Sequence, residues 1–498
     1  MNEPEELLAA VDLGSNSFHL KVAHWDGASL HQVDRLRERV RLAAGLQEDG
    51  QLKSKVAQRA LECLERFGQR LKSVPNSKVR AVGTNTLRQL RDGGDFLRTA
   101  AKALGHSIEI ISGHEEARLV YLGVQSDLPY SPGRRLVLDI GGGSTECALG
   151  ESFEVLRGDS LYMGCVSYTL KHFPNGELKD GHFDRAVTAA ALELQPVARH
   201  FLDLGWDEAF GSSGTVLAVE NILLENQWSE GGLHLKGLKK LRRAMVECGR
   251  VDCLNLPGLQ ADRRPVLAGG VAILLALFQS LKFKKLQTSK AALREGLLYD
   301  LLGRMRHEDV RDRTIQSFGR RFRVDAAQAS RVERTALHIL KQVEKDWELP
   351  DPESRLYLSW AARLHEIGLS VAYTGYHRHG AYLVQHSHMP GFSKENQMVL
   401  ANLIQNHRRR IELQELNGRS EGRRQYVLRL CALLRLAVRL NRTRTPLDVP
   451  RVDCKAKGPH LKLKLPEGWL ESHPLTQEDL ILEAERLAAA GLELRFQA

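Results

Sequence analysis

The chain has few cysteines and no long apolar segment, and both absences exclude whole classes of protein. Seven cysteines are scattered over 498 residues, and the closest pair, Cys248 and Cys253, has no second pair at metal-ligand spacing. That excludes a disulfide scaffold. The longest strongly apolar run, residues 267–278, is too short to span a bilayer, and the acidic first residues do not resemble a signal peptide. We expect a cytoplasmic protein with reduced thiols. Peripheral association with a membrane is compatible with the same observations.

Two common nucleotide-binding motifs are also missing. No segment matches the Gly-x4-Gly-Lys-Ser/Thr P-loop, and no Gly-x-Gly-x-x-Gly pattern with a later acidic residue is present. Aromatic residues make up only 6% of the chain and are scarce in its basic stretch, so a surface that stacks nucleic-acid bases is not expected. Any phosphate chemistry must therefore come from other loops.

What the sequence does have is one short pattern that occurs twice. Asp12 and Gly14 are spaced like Asp139 and Gly141, a serine follows three residues after each glycine, and apolar strand patterns flank both copies. The pattern predicts a β-hairpin with an acid at the strand end and a turn whose N–H groups converge on an anion. Two such turns facing each other would bind phosphate from both sides. A third small-residue turn, residues 211–215, opens a helix and suits a phosphate as well.

Acidic residues near these turns are candidates for catalysis. Ser112 and Glu115 form a capping-box pattern, which leaves Glu116 in the first helical turn. Glu116 is either a favourable charge at the helix N-terminus or the base that takes a proton from an attacking water. Asp139 and Glu146 flank the second turn, where a hairpin can bring them together to hold Mg²⁺. Alternatively, Asp139 caps the turn and Glu146 is an exposed strand residue.

The domain organisation follows from a change of pattern along the chain. Strands alternate with helices over residues 1–130 and again over 131–303, which predicts two α/β domains. Residues 304–447 are nearly all helical, and residues 448–498 form a small α+β cap. The net charge of +10 is concentrated in residues 404–444, which hold 11 arginines against three glutamates. This excess predicts a track for a long polyanion. The arginines assigned to it are Arg408, Arg409, Arg410, Arg423 and Arg424.

Several ordered motifs together resemble one family, the exopolyphosphatase / guanosine pentaphosphate phosphohydrolase family. They are AVDLGSNSFH at residues 10–19, GTNTLR at 83–88, IISGHEEAR at 110–118, DIGGGSTE at 139–146, MGCV at 163–166 and ALREG at 292–296. The resemblance implies duplicated actin-like ATPase / sugar-kinase domains of the ribonuclease H-like type. It also implies removal of a terminal phosphate as Pi with Mg²⁺, homodimerisation, and room for a monovalent cation such as K⁺.

The resemblance also assigns roles to individual residues. Glu116 becomes the general base, and Asp139 and Glu146 become the acids that hold metal and water. Phosphate binding falls to the turns and one arginine: Ser15, Asn16, Arg88, Gly141, Gly142, Gly143, Ser144, Thr145, Ser213, Gly214 and Thr215. The helical domain resembles a degraded His-Asp phosphohydrolase, because the expected pair reads His365-Glu366 and the other histidines form no convincing ligand set. We expect that domain to be inactive and its histidines to line a basic passage.

Two substrates compete within that family. Gly143 and the arginine track both favour processive hydrolysis of inorganic polyphosphate, so an exopolyphosphatase is the preferred interpretation. The alternative is removal of the 5′-terminal phosphate of guanosine pentaphosphate. From other classes, an ATP-dependent sugar or acetate-type kinase fits the turns alone, and a polyphosphate- or nucleotide-sensing protein would need no catalysis. The intact Glu116, Asp139 and Glu146 argue against a sensor.

Overall fold

The structure is a computed structural model that describes residues 6–26, 29–47, 49–91, 93–129, 131–305, 309–349, 352–413, 421–444 and 451–497. They form two compact units, Met1–Asp309 and Val310–Ala498. The first is the α/β unit and the second is the helical unit. The division lies close to the boundary expected at residue 304, while the finer four-domain scheme stays a prediction.

The first half of the α/β unit is a mixed sheet with helices. Its strands are β1 (Glu6–Leu13), β2 (Phe18–Trp25), β3 (Leu30–Glu38), β4 (Val79–Gly83) and β5 (Ile108–Ile110), and its helices are α1 (Ser54–Leu71), α2 (Asn85–Gln89), α3 (Gly93–Leu104) and α4 (Gly113–Asp127). The hydrogen-bonded order is β3-β2-β1-β4-β5. Strands β1 to β3 are antiparallel, and β4 and β5 continue the sheet in parallel.

The second half repeats this arrangement. Its strands are β6 (Arg134–Ile140), β7 (Thr145–Glu151), β8 (Glu154–Leu161), β9 (Glu208–Ser212) and β10 (Gln287–Thr288), and its helices are α5 (Cys165–His172), α6 (Asp180–Leu204), α7 (Ser213–Glu225), α8 (Leu235–Cys248), α9 (Leu267–Leu281) and α10 (Leu293–Met305). The order β8-β7-β6-β9-β10 matches the first sheet strand for strand. Even the register shift recurs at the equivalent place, residues 22–23 and 149–150. The predicted duplication of an α/β domain is therefore confirmed.

Helices α4 and α10 form a layer that both sheets share. One buried cluster joins Leu8 of β1 and Val137 of β6 to residues of these two helices. The helices cross with backbone in contact, since a methyl group on Gly296 would lie 1.8 Å from the Leu119 carbonyl oxygen. Only glycine allows so close an approach. This packing fixes α4, which carries Glu116, against both halves.

The longest apolar run of the sequence, residues 267–278, is most of α9. A segment that contains it, Arg264–Leu281, is the one helical stretch of the described residues that is long and apolar enough to cross a membrane. However, 72% of it is buried inside the protein, and α9 packs within the core of the second half. We therefore interpret it as a core helix.

The helical unit matches the expected change of character along the chain. Its helices are α11 (Val310–Arg321), α12 (Ala326–Val343), α13 (Glu353–Leu364), α14 (Tyr376–His386), α15 (Lys394–Asn406) and α16 (Glu421–Leu440), followed by β11 (Asp453–Lys457), β12 (His460–Lys464), α17 (Trp469–Ser472), α18 (Pro474–Ala488) and β13 (Glu493–Gln497). One apolar core runs through the helices and the small terminal sheet, so the α+β cap packs on the helices instead of standing apart.

Candidate active site

The two glycine-rich turns predicted from the repeat face each other inside the α/β unit. Turn 14–17 follows β1, and turn 141–144 follows β6. A methyl group placed on Gly142 would lie 3.3 Å from Ser15 Cβ and 3.5 Å from Asn16 Cβ. The prediction that the turns oppose one another is confirmed, and a group bound between them would contact both halves of the unit.

Helix α5 holds the second turn by its carbonyl oxygens. The N–H of Cys165 donates to the Gly141 carbonyl at 2.9 Å, and the N–H of Val166 donates to the Gly142 carbonyl at 3.0 Å. In the part of the chain that the structure describes, no group accepts the N–H of Gly142 or Gly143. The turn therefore directs its oxygens at α5 and keeps N–H donors for an anion. The motif at 163–166 thus supports this turn.

The first turn is held in a comparable way. The carbonyl oxygens of Ser15 and Asn16 accept hydrogen bonds from the N–H groups of Ala43 and Arg41, at 2.9 and 2.8 Å. The Thr86 hydroxyl on α2 donates to Ser15 Oγ at 2.8 Å. The side chain of Ser15 is therefore fixed at the place where the two turns meet.

The third turn opens α7 beside an arginine. Ser213 has φ +88°, a strained conformation for a residue with a side chain. A methyl group on Gly214 would lie 1.8 Å from Arg263 Nη2, so the guanidinium lies directly over the start of α7. The hydroxyls of Thr215 and Thr145 donate instead to the Ile140 and Met163 carbonyls, at 3.3 and 2.5 Å. These two side chains support the loops, and any contact they make with phosphate would use the backbone.

Glu116 lies in the first turn of α4 beside Arg88. The Ser112 hydroxyl caps the helix by accepting the Glu115 N–H at 3.2 Å, and the Glu115 carboxylate binds Arg118 at 2.8 Å. Arg88 Nη1 donates to Glu116 Oε2 at 2.8 Å. Burial raises the pKa of Glu116, and the Arg88 charge opposes that rise. Glu116 is thus a buried carboxyl poised closer to neutral pH than an ordinary glutamate.

Three more carboxyl groups surround it. In the two hairpins Asp12 lies opposite His19, and Asp139 lies opposite Glu146. Burial raises the pKa of Asp12 to about 7 and that of Asp139 to about 6, and the Glu116 charge pushes both the same way. Burial and the same charge hold the pKa of Glu146 well above its ordinary value. The structure therefore brings the predicted acids together and adds Asp12 to them.

The same acids determine what kind of cation the site could take. In the described residues, no three His, Cys, Asp or Glu side chains converge closely enough to enclose a metal ion. Mg²⁺ is usually held by one or two carboxylates, with water and substrate phosphate completing its shell. Asp139 and Glu146 fit that open arrangement, and Ser160 Oγ orients Glu146 by donating to its Oε1 at 2.8 Å. Burial and the Glu116 charge raise the pKa of both carboxyls, and such a place is one where a positive charge would be stabilised.

Sequence reasoning missed a cluster of basic side chains beside the turns. We call it the cleft arginines, and it consists of Arg35, Arg37, Arg39, Arg263 and Arg294. Asp262 Oδ2 pairs with three of them, at 2.6 Å from Arg39 Nη2, 3.8 Å from Arg37 Nη2 and 3.8 Å from Arg263 Nε. Arginine alternates at residues 35, 37 and 39, in β3 and directly after it, which puts these side chains on one face, and that period was the available signal. Their partners at 262–263 are distant in sequence, so the cluster itself was not predictable.

His19 shows how close the cleft arginines come to the first turn. Arg294 Nη1 lies 2.7 Å from His19 Nδ1. Burial and the charges of Arg294 and Arg37 lower the pKa of His19 to about 2. The imidazole is therefore neutral, and its Nδ1 accepts from the guanidinium. Because His19 lies opposite Asp12, the positive cluster borders the acidic one.

Five of the eleven arginines of 404–444 form ion pairs with acids elsewhere in the helical unit. Their partners are acids outside that window: Arg423 with Glu353 and Glu395, Arg435 and Arg439 with Glu483, Arg442 with Asp479, and Arg444 with Asp325 and Glu366. Arg408 lies over the Tyr376 ring at 4.6 Å, while Arg409, Arg410 and Arg424 are exposed. Residues 414–420 lie outside the described part. Arg423 is therefore held in ion pairs within the unit, and the polyanion track stays a prediction for the other four arginines.

Two histidines of the helical unit, His365 and His407, are buried and engaged in local bonds. His365 Nδ1 donates to the Ala362 carbonyl at 2.7 Å, and His407 Nδ1 donates to the Ile404 carbonyl at 2.6 Å. Burial lowers the pKa of both imidazoles. Glu366, at the place of the expected aspartate, pairs with Arg444. The resemblance to a His-Asp phosphohydrolase stays a prediction for this unit.

Comparison with known proteins agrees with the motif pattern. Residues 21–305 match the Ppx/GppA phosphatase family, and residues 310–484 match Ppx/GppA phosphatase, domain III. Proteins of Aeromonas hydrophila and Aeromonas salmonicida, both named guanosine-5′-triphosphate,3′-diphosphate pyrophosphatase, are 40% identical over 490 residues, which is 98% of each chain.

Solved structures share the fold of the α/β part. An exopolyphosphatase from Cytophaga hutchinsonii superposes with a TM-score of 0.54 at 22% identity and covers 60% of this chain and 98% of its own. The PPX-GPPA enzyme of Aquifex aeolicus gives 0.51 at 24%, covering 59% and 99%. At such identity the likeness concerns the fold.

Proposed function

Because the chain belongs to the Ppx/GppA phosphatase family and is therefore a hydrolase of phosphoanhydride bonds, we propose that it removes the 5′-terminal phosphate of guanosine pentaphosphate. The products are guanosine tetraphosphate and Pi. The curated relatives that carry this activity in their name align along nearly the whole chain. Pi release also separates this proposal from the kinase and sensor alternatives, which predict transfer to an acceptor or no turnover.

The observation that carries the proposal is the position of the cleft arginines. Guanosine pentaphosphate carries two anionic groups, a 5′-triphosphate and a 3′-diphosphate. The opposed turns suit the end of the first, and Arg37, Arg39 and Arg263 provide a second cationic site beside them. Charge-assisted bonds from arginine to phosphate are among the strongest polar contacts. A substrate with one anionic group would leave part of this cluster unused.

Two observations bear on the polyphosphate interpretation. Five of the eleven arginines of 404–444 are engaged in ion pairs with acids elsewhere in the helical unit. Gly143, taken as typical of the polyphosphate enzymes, has a local reason: a methyl group there would lie 2.9 Å from Asn85 Oδ1. The glycine thus makes room for a neighbouring side chain, whatever the substrate.

The mechanism follows from Glu116, Arg88 and the turns. Water attacks the terminal phosphorus in line, its proton passes to Glu116, and the bond to the bridging oxygen breaks to release Pi. Arg88 orients Glu116 at 2.8 Å, and the free N–H groups of Gly142 and Gly143 stabilise charge on the transferred oxygens. Asp139 and Glu146 would hold Mg²⁺, which supplies Lewis-acid neutralisation of phosphate charge when bound. The proposal includes a cytoplasmic homodimer, tested by its mass in solution.

The deciding experiment compares Pi release from guanosine pentaphosphate and from long-chain polyphosphate at equal concentrations of terminal phosphate, with Mg²⁺. We expect a clearly larger kcat/KM for the nucleotide. GTP, which lacks the 3′-diphosphate, is the control that separates recognition of that group from recognition of guanosine. Faster release from the polymer would contradict the proposal and restore the exopolyphosphatase interpretation.

A further inference from the structure

Asn85 lies beside the point where turns 14–17 and 141–144 meet. It is the first residue of α2 and is only 4% exposed. The methyl position on Gly143 that lies 2.9 Å from Asn85 Oδ1 is also 3.5 Å from Ser15 Oγ. Ser15 and Gly143 come from opposite halves of the duplicated unit. The amide of Asn85 therefore borders the place where the two turns meet.

Gln89 fixes the orientation of that amide. Its Nε2 donates to Asn85 Oδ1 at 2.7 Å, one helical turn along α2. The oxygen of Asn85 is thereby used, so the Nδ2 group remains as a donor. Among the described residues no group accepts from Nδ2, and the atom is not sealed inside the protein. The Nδ2 group of Asn85 is therefore a donor still available to a bound group beside the junction.

Helix α2 also places the neighbouring parts of the site. Thr86 donates to Ser15 Oγ at 2.8 Å, and Arg88 donates to Glu116 Oε2 at 2.8 Å. One short helix thus carries a support for the first turn, the partner of the general base, and the Asn85 amide. Because these groups belong to one short helix, their positions relative to the attacking water and the phosphate are fixed. Such fixed positions are what stabilisation of a transition state requires.

We propose that Asn85 Nδ2 donates a hydrogen bond to a non-bridging oxygen of the transferred phosphoryl group, and that Gln89 is the positioning residue that keeps this donor turned toward the substrate. The inference rests on the proposed function only in that a terminal phosphate is bound between the turns. It also gives Gly143 its reason, because the missing Cβ leaves room for the amide.

The test replaces the donor by a group whose donor ability depends on pH. Asn85→Ala should lower kcat/KM for guanosine pentaphosphate by about 10²-fold, the effect of removing one such donor. Asn85→Asp should lower it further at pH 8, because a carboxylate repels phosphate. As pH falls the aspartate gains a proton and becomes a donor, so the ratio of its activity to wild type should rise. The ratio for Asn85→Ala should stay flat. Asn76→Asp, the same change at an exposed site, should match wild type throughout.

A second variant tests the positioning role without touching Asn85. In Gln89→Glu the carboxylate can only accept, so the Asn85 amide should turn its Nδ2 toward residue 89 and its oxygen toward the phosphate. We expect a loss of kcat comparable to that of Asn85→Ala, and no additional loss in the double variant Asn85→Ala, Gln89→Glu. Equal pH profiles for the two Asn85 variants, or full activity of Gln89→Glu, would overturn the inference.

The outcomes remain separable from those of the proposed function. If wild type prefers polyphosphate, the proposed substrate fails, and the Asn85 variants are measured on the polymer with the same expectations. If Asn85→Asp does not fold, Asn85→Ser takes its place, since a hydroxyl keeps a donor. Retention of more kcat in Asn85→Ser than in Asn85→Ala supports the inference, and equal losses overturn it.

Discussion

In the α/β unit, arginines gather beside glycine-rich turns and share few acids, whereas in the helical unit five of the eleven arginines of residues 404–444 form ion pairs with acids outside that window. Asp262 serves Arg37 and Arg39 at once, while Arg435 and Glu483 form a fully buried pair. Local composition singles out the helical unit as the polyanion site. When the ion pairs of the folded chain are taken into account, the cleft arginines become the better candidates for binding phosphate. What matters for binding phosphate is the charge left after internal pairing, so the two populations can be separated by mutation.

The largest effect is expected from replacing the proposed general base of the α/β unit, Glu116. Glu116→Gln should reduce kcat by about 10²–10⁴ and leave KM nearly unchanged, since a positioned base acts only in the transition state. Steady-state Pi release measures both constants. Glu115→Gln, the same change one residue earlier, removes a partner of Arg118 and should lower thermal stability more than kcat. If Glu116→Gln keeps its turnover, the assignment of the base is wrong.

The helical unit should respond in stability instead of activity. Arg435 and Glu483 are both 0% exposed, so Glu483→Gln leaves a buried guanidinium without its counter-charge, which costs roughly 3–5 kcal/mol. Urea unfolding followed by tryptophan fluorescence reports it, because Trp347 and Trp360 are buried in this unit. Glu493→Gln, in an exposed pair with Arg495, is the matched control and should change little. An unchanged midpoint for Glu483→Gln would mean that these arginines are not structural.

The cleft arginines should act on binding. Arg37→Gln combined with Arg39→Gln should raise KM for guanosine pentaphosphate roughly 10- to 100-fold, the equivalent of one or two charge-assisted bonds. KM for GTP should change much less, because GTP has no 3′-diphosphate. Arg66→Gln, which breaks an exposed pair with Glu38, controls for loss of charge. Equal increases in KM for both nucleotides would assign the cluster to general attraction of anions.

Buried acids give the α/β unit its own pH dependence. The pKa of Asp12 rises from 3.8 to about 7 on folding, so its contribution to stability is complete below about pH 4 and is lost as pH rises through 7. Asp12→Asn stays neutral and escapes this loss. In EDTA it should match wild type at pH 4 and exceed it by on the order of 1 kcal/mol at pH 8. Asp95→Asn, at an exposed site, should show no such trend. A constant difference across pH would contradict the assigned titration.

The duplicated turns could be predicted because their signal is local. The spacing of acid, glycine and serine, together with flanking apolar alternation, specifies a hairpin without knowledge of distant residues. The capping of Glu115 by Ser112 was predictable for the same reason. Asp12 also followed from the repeat, although its role as a fourth buried acid depends on how the two halves close on each other.

The cleft arginines and the neutralised arginines could not be predicted in this way. Arg39 meets Asp262 across more than 200 residues, and Arg423 meets Glu353 across 70. No pattern within one segment encodes such pairs, because they arise when helices and strands pack. Asn85 could not be predicted for a different reason. It lies in the motif at 83–88, where Arg88 is the residue with an evident affinity for phosphate, and its proposed role depends on the distant Gly143.

The smallest effect is expected where composition placed the polyanion track. Replacing Arg408, Arg409 and Arg410 together by Gln removes exposed or half-buried charge from the helical unit. We expect kcat/KM for guanosine pentaphosphate to stay within about twofold, since exposed charges contribute little. If a track exists, the triple variant should instead lose more affinity for long-chain polyphosphate than for short chains, relative to wild type. Its binding of the long chains should also depend less on salt concentration. That result would contradict the contrast between the two units, whereas equal, small changes for both chain lengths would leave the cleft arginines as the phosphate-binding charges.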